Sequence, residues 1–149
     1  MNIKKELYDA CLIFIENRLI IINATISEIR ESLMSETKSS AGDKHETGRA
    51  MLQIEREKAG NQLAEIQKVK QTLLKIDVTK TSNIVGLGSI VYTTKNNYFI
   101  SISAGEIKAN NIAYYAVSPN TPISQLLLSK KSGDKISFRD QSFQITSVI

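Results

Sequence analysis

The stretch YDACLIFIENRLIIINATISEIRESL, residues 8–33, decides the first half of the fold. Its apolar residues recur with alternating spacings of four and three, which is the pattern of a heptad seam along a helix. The seam consists of Tyr8, Leu12, Ile15, Leu19, Ile22, Ile26, Ile29 and Leu33. We therefore predict a helix over residues 3–36, which would be about 50 Å long at 1.5 Å per residue.

A second helical segment follows with a less regular pattern. Its apolar residues repeat every seven positions, at Leu52, Ala59, Ile66 and Leu73, supported by Leu63, Val69 and Ile76. Two such segments joined by a short polar bend are typical of an antiparallel coiled-coil hairpin. We assign residues 1–77 to this hairpin and its tip to about 37–48. Off the first seam, the helix also carries Ile13, Phe14, Ile20 and Ile21, and we expect the C-terminal half of the chain to cover them.

The pattern changes after Asp77. The polar stretch DVTKTSN reads as a linker, and the short runs SIVYTT, YFISIS, YYAVS, KISFRD and FQITSVI have the composition and the period of strands. Turns are expected at KNN, AGE, SGDK and RDQS. The run ISQLLLSK predicts a short helix with Pro122 in its first turn and Thr121 as its N-cap. Residues 78–149 are thus predicted to form a small domain with an antiparallel sheet, and the whole chain is α+β.

Composition narrows the class of protein. The chain has 149 residues, 42% of them hydrophobic and 23% charged, as in a soluble folded protein. The most apolar run is broken by Glu16, Asn17 and Arg18, so we expect neither a membrane span nor a signal peptide. Cys11 is alone, which excludes a disulfide within the chain. The cytoplasm is the expected compartment.

The net charge of +4 is unevenly distributed. Residues 1–77 hold equal numbers of basic and acidic side chains, whereas residues 78–149 hold 7 Lys and Arg against 3 Asp and Glu. Lys130, Lys131 and Lys135 cluster around the SGD turn. Such a surface can contact an acidic protein or nucleic acid, and the simpler interpretation is a solvated basic face.

The bend SSAGDKHETGR, residues 39–49, admits two interpretations. As local structure, Asp43 at the N-cap and Glu46 three residues later form a capping box at the start of the second helix. As a site, carboxylates at this spacing lie within about 5–6 Å of each other. They can hold one Mg²⁺ ion whose remaining positions are filled by water and phosphate, and such an ion can lower the pKa of a water.

Several segments together resemble a known family. They are GD-x-x-E at the tip, then GLGSIVY, YFISISAGE, YYAVSPNTPISQLLLSKKSGDKISF and FQITSVI. In this order they are similar to the Gre transcript-cleavage factors of bacterial RNA polymerase, over nearly the whole chain. The segment AVSPNTPISQLLLSKKSGD carries the most specific part of the resemblance.

The resemblance implies a fold and a mechanism. The C-terminal domain would be FKBP-like and would dock at the rim of the polymerase secondary channel, through a segment that holds Ser118, Pro119, Pro122 and Ile123. The coiled coil would enter the channel as a monomer. There Asp43 and Glu46 would share the second catalytic Mg²⁺ with the polymerase, whose own active site cuts backtracked RNA near its 3′ end. The protein itself would be an accessory factor and not an enzyme.

Departures from the family pattern leave alternatives open. The residues after Glu46 are TGRAMLQ where the family usually has Asn, a further acid and an aromatic, and Lys38, Lys44 and Arg49 flank the tip acids. These features favour a regulator that enters the channel without stimulating cleavage. Two other classes are a prolyl isomerase, suggested by the FKBP-like resemblance, and a coiled-coil oligomerisation protein. The aromatic residues of the second half are interpreted as core and surface of the sheet.

Overall fold

The structure is a computed structural model that describes the backbone of residues 2–38 and 43–149 and the side chains of residues 2–36 and 47–149. The chain forms two compact units. One unit is Ile15–Val69, and the other combines Met1–Phe14 with Lys70–Ile149. Both ends of the helical region therefore belong to the same unit as the strands.

The N-terminal half consists of two long helices, as the heptad patterns predict. Helix α1 spans Ile3–Lys38 and helix α2 spans Asp43–Leu74. The buried side chains of the helical unit lie at the predicted positions of both patterns: Ile15, Ile22, Ile26, Ile29, Ala59 and Ile66. Residues of both helices also line one groove of about 490 Å³. Burial of the two apolar stripes stabilises this unit.

The prediction for the additional apolar residues of α1 is wrong. Ile13, Ile20 and Ile21 are 62%, 66% and 67% exposed, and Phe14 is half-buried. The end of α1 instead buries Leu7 and Cys11 in the unit that holds the sheet. Cys11 Sγ lies 3.6 Å from Ser101 Oγ, and burial raises the pKa of its thiol. The sheet unit thus buries the face of α1 that carries Leu7 and Cys11, and not the face that carries the additional isoleucines.

By length and composition α1 could cross a membrane, since an 18-residue window within Ile3–Glu36 has a mean hydropathy of 1.5. A helix that packs in the core of a soluble protein passes the same test. The seam residues Ile15 and Ile22 are buried against protein at 0% and 6% exposure. The absence of a membrane span therefore stays a prediction.

Six strands and a short helix form the rest of the sheet unit. The strands are β1 (Ile90–Thr93), β2 (Asn97–Ile100), β3 (Gly105–Ala109), β4 (Ile112–Val117), β5 (Lys135–Phe138) and β6 (Gln141–Val148), and helix α3 (Pro122–Leu127) lies between β4 and β5. Their order across the sheet is β3-β4-β2-β1-β6-β5. The α+β class and the short helix are confirmed.

The sheet is mixed, so the prediction of an antiparallel sheet is wrong in one place. Strands β2 and β4 pair in parallel, with Tyr98 opposite Tyr115, whereas all other pairs are antiparallel. The cause is β3, which the sequence reading missed because AGE was taken as a turn. Asn110 and Asn111 have φ of 53° and 65°, the left-handed pair of a tight hairpin turn, and they join β3 to β4. This hairpin places β3 at the edge and turns β4 parallel to β2.

One apolar cluster holds α3 on the sheet. Ile123 and Leu127 of α3 pack with residues of four strands and of the segment before β1, and the buried members of the cluster are Val85, Val91, Ile100, Ile123, Leu127, Ile136, Phe143 and Ile145. Phe99 and Tyr114 are also buried, at 0% and 2% exposure. Aromatic residues thus serve as core, as predicted. The cluster fixes the position of the chain segment that leads into α3.

Candidate functional site

The tip acids lie in the first turn of α2. The helix begins at Asp43, so Asp43 and Glu46 lie three residues apart within its first turn. The N-terminal end of a helix favours carboxylates, because its free N–H groups carry a partial positive charge. The side chains of Asp43 and Glu46, with those of Lys38, Lys44 and His45, lie outside the described residues. The capping box and the Mg²⁺ site therefore stay predictions.

The described residues next to the tip bring a third acid to this end of the helices. A Cβ atom placed on Gly48 would come within 3.2 Å of a carboxylate oxygen of Glu36. The last described turn of α1 therefore lies against the second turn of α2. The sequence reading did not single out Glu36, although its position at the end of α1 was a usable signal.

Among the side chains described, no three His, Cys, Asp or Glu residues come together in a way that could hold a metal ion. The side chains of Asp43 and Glu46 are not among those described. The two tip carboxylates have the oxygen donors that Mg²⁺ prefers, and two of them leave most of an octahedral shell to other ligands. The donor set thus fits the ion.

The second candidate site is the segment that leads into α3. Ser118 N donates to Ser103 Oγ at 3.2 Å, and the Ser118 hydroxyl bonds to the Asn120 side chain. Gln125 Nε2 donates to the Pro119 carbonyl at 2.7 Å. These bonds hold Ser118 and Pro119 in one conformation. The segment is therefore a preformed surface, which lowers the entropic cost of binding a partner.

The four predicted partner-binding residues occupy different environments. Pro122 is exposed at the first position of α3, and Ser118 and Pro119 are half-buried. Ile123 is 8% exposed and belongs to the apolar cluster under α3, so its side chain anchors the segment from below. The sequence reading missed Leu126, which is 38% exposed on α3. An apolar residue on the solvent side of a short helix was the signal for it.

The N-cap of α3 gives a direct test of how this segment is held. Thr121 Oγ1 accepts a hydrogen bond from Ser124 N at 3.3 Å and donates to Ser118 O at 2.9 Å. We expect Thr121→Ala to lower the free energy of unfolding by about 1 kcal/mol, the usual cost of losing such a cap. Thr121→Ser keeps the hydroxyl and should stay close to the native value. Urea unfolding followed by tyrosine fluorescence measures both, and equal stability of the Ala variant and the native chain would contradict the capping role.

The basic turn is held by its own acid. Lys131 N donates to Asp134 Oδ2 at 2.9 Å, and Gly133 has a φ of 95°, a conformation that favours glycine. Lys130, Lys131 and Lys135 are all exposed. The arrangement is that of a well-formed surface turn, and its positive charge is directed to solvent.

The sequence was compared with models of known protein families and with curated proteins, and neither comparison gave a match.

Proposed function

We propose that this protein is a Gre-type factor that acts in the secondary channel of bacterial RNA polymerase and stimulates cleavage of backtracked RNA. The observation that carries the proposal is the position of the GDKHE motif. Its two acids lie at the start of α2, and the two helices that flank residues 39–42 have 36 and 32 residues. A long helical pair with an acidic motif at its far end suits a protein that delivers carboxylates into a deep cavity.

We propose that α1 and α2 form an antiparallel coiled-coil hairpin, which is supported by the burial of seam residues on both helices and by Glu36 lying next to Gly48. At 1.5 Å per residue, the hairpin would extend about 50 Å. We propose an FKBP-like relationship for the sheet unit, supported by its six strands and its single short helix.

The tip residues would supply oxygen ligands. Asp43 and Glu46 would hold a Mg²⁺ ion together with the polymerase, at a helix end whose partial positive charge favours carboxylates. When bound, the ion supplies activation of water for phosphodiester hydrolysis. Two carboxylates bind Mg²⁺ weakly by themselves, so this site would be complete only inside the polymerase.

The partner surface would be the segment before α3. Ser118, Pro119 and Pro122 present a fixed, partly apolar surface that would dock on the rim of the channel, and Ile123 would hold it to the core. The protein would act as a monomer in the cytoplasm. No step of the reaction would take place on the sheet unit itself.

A second candidate function is a channel regulator that does not stimulate cleavage. The observation that favours it is the sequence around the acids, where Lys38, Lys44 and Arg49 add positive charge and TGRAMLQ replaces a further acid. Nearby cations compete with Mg²⁺ for the carboxylates. Such a protein would occupy the channel and change transcription without a metal dependence.

The deciding experiment uses a stalled, backtracked elongation complex assembled with the cognate polymerase. RNA length is followed with and without the protein at several Mg²⁺ concentrations. Shortened RNA that depends on the protein and on Mg²⁺ is the expected result. If the RNA keeps its length and the protein displaces an authentic cleavage factor, the second candidate function is the right one. If the protein does neither, both proposals are wrong.

A further inference from the structure

The sheet unit contains a polar cavity of about 310 Å³ that the proposed function does not use. It lies where the start of α1, the end of α2, the linker after α2 and the turn before β1 meet. Three lysines reach it from different parts of the chain: Lys4, Lys75 and Lys80. Asp77 is the single acidic residue among its lining residues. The cavity therefore carries an excess of positive charge.

Lys4 is the most unusual of these lysines, because it is only 5% exposed. Its Nζ atom donates to the Lys80 carbonyl oxygen at 2.8 Å. In the part of the chain that the structure describes, this is its one hydrogen bond, although an ammonium group has three N–H donors. Burial lowers the pKa of Lys4, which reflects the cost of holding the charge there. An anion in the cavity would offset that cost.

Asp77 offsets only part of the positive charge of the cavity, since it is one carboxylate against three lysines. Its carboxylate accepts from Thr79 N at 2.9 Å and from Thr79 Oγ1 at 2.6 Å, and these bonds hold its pKa below the usual value. Among the described residues it makes no ion pair with Lys4, Lys75 or Lys80. Both hydrogen bonds from Thr79 use Oδ1, and the negative charge of Asp77 favours the charged form of Lys4. The lining still holds more positive than negative side chains, which favours an anionic ligand.

The walls of the cavity are held in place by several contacts. Asn2 Nδ2 donates to the Val78 carbonyl at 3.1 Å and ties the start of α1 to the linker. Gly88 has a φ of 90°, and a Cβ atom there would come within 3.0 Å of the Ile76 side chain. Ser89 Oγ accepts from Gly86 N at 2.9 Å. A cavity with fixed walls binds without a large ordering cost.

We propose that this cavity, lined by Lys4, Lys75 and Lys80, is a binding site for a small phosphorylated ligand that presents a diphosphate group. Lysines recognise phosphate as compact positive charges, and three of them match the charge of a diphosphate better than that of a single carboxylate. The volume lies at the small end of the range of ligand sites, which excludes a large organic body inside the cavity. The inference is independent of the tip acids and of the polymerase.

Calorimetric titration of the full chain with inorganic pyrophosphate, at low salt and without Mg²⁺, tests this site. We expect binding with one pyrophosphate per chain. Lys75→Ala and Lys80→Ala should each weaken it roughly tenfold, the usual loss for one hydrogen bond to a charged group. The Lys80 carbonyl that accepts from Lys4 is a backbone group and persists in the variant. Circular dichroism verifies that each variant is folded.

The matched control is Lys58→Ala, because it removes the same charge from an exposed position of α2 in the other unit. Its affinity should equal that of the native chain. A parallel titration with ADP distinguishes the source of the diphosphate. Tighter binding of ADP indicates a nucleotide, whereas tighter binding of pyrophosphate indicates an inorganic ligand. Either result supports the site. Binding of neither ligand, or an equal loss in Lys58→Ala, would overturn the proposal.

Discussion

Replacing Asp43 with Asn and Glu46 with Gln is expected to reduce RNA cleavage in a backtracked complex on the order of 100-fold or more. Changing a group that only orients a metal ligand typically lowers metal affinity or activity by about 10–100-fold. Changing the ligands themselves should lower the cleavage rate at least as much. The amides keep the size of the side chains and can still cap α2, but they lose the charge that attracts Mg²⁺. The effect therefore separates the two interpretations of GDKHE.

Two measurements accompany this variant. Binding to the polymerase should be unchanged, since the proposed docking surface at Ser118–Pro122 is not altered. Glu55→Gln is the control, because it makes the same chemical change at an exposed position of the same helix. If the double variant cleaves as the native protein does, the acids serve only as a helix cap. If Glu55→Gln reduces cleavage to the same degree, the loss reflects the overall charge of the helices and not a site.

The second large effect concerns the stability of the helical unit. We expect Ile22→Ala to lower its free energy of unfolding by about 2–4 kcal/mol, because the Ile22 side chain is 6% exposed and its removal leaves a cavity between apolar neighbours. Thermal or urea unfolding followed by circular dichroism at the helical band measures the change. If the protein acts in the polymerase channel as proposed, the Ile22→Ala variant should also lose cleavage activity, because its helical unit is less stable.

Ile20→Ala is the matched control on the same helix. Ile20 is 66% exposed, so little apolar contact is lost, and alanine is the better helix former. Its stability should equal or slightly exceed that of the native chain. A large loss in this variant would mean that Ile20 is covered in solution. The exposed surface around Ile13, Ile20 and Ile21 would then be an interface, and light scattering would detect the associated oligomer.

Local sequence patterns were sufficient to predict the helical half of the protein. The heptad spacing in α1 and the sevenfold repeat in α2 are local patterns, and the residues that they select, such as Ile15, Ile22 and Ile66, are buried. The cap of α3 was also predictable, because Thr121 and Pro122 act through bonds within four residues. The position of Asp43 and Glu46 at the start of α2 followed from the same local signals.

Features that join distant parts of the chain depend on tertiary packing and could not be predicted from local patterns. Leu7 and Ile13 are both apolar enough to be buried. Which of them is buried depends on the face of α1 that packs within the sheet unit. The parallel pairing of β2 with β4 depends on where the hairpin of β3 and β4 attaches, since strand periodicity carries no information on direction. Lys4 and Lys80 are 76 residues apart and meet only because α1 and the linker pack together. A local pattern predicts which face of a helix or strand is apolar, whereas long-range packing determines which part of the chain covers that face.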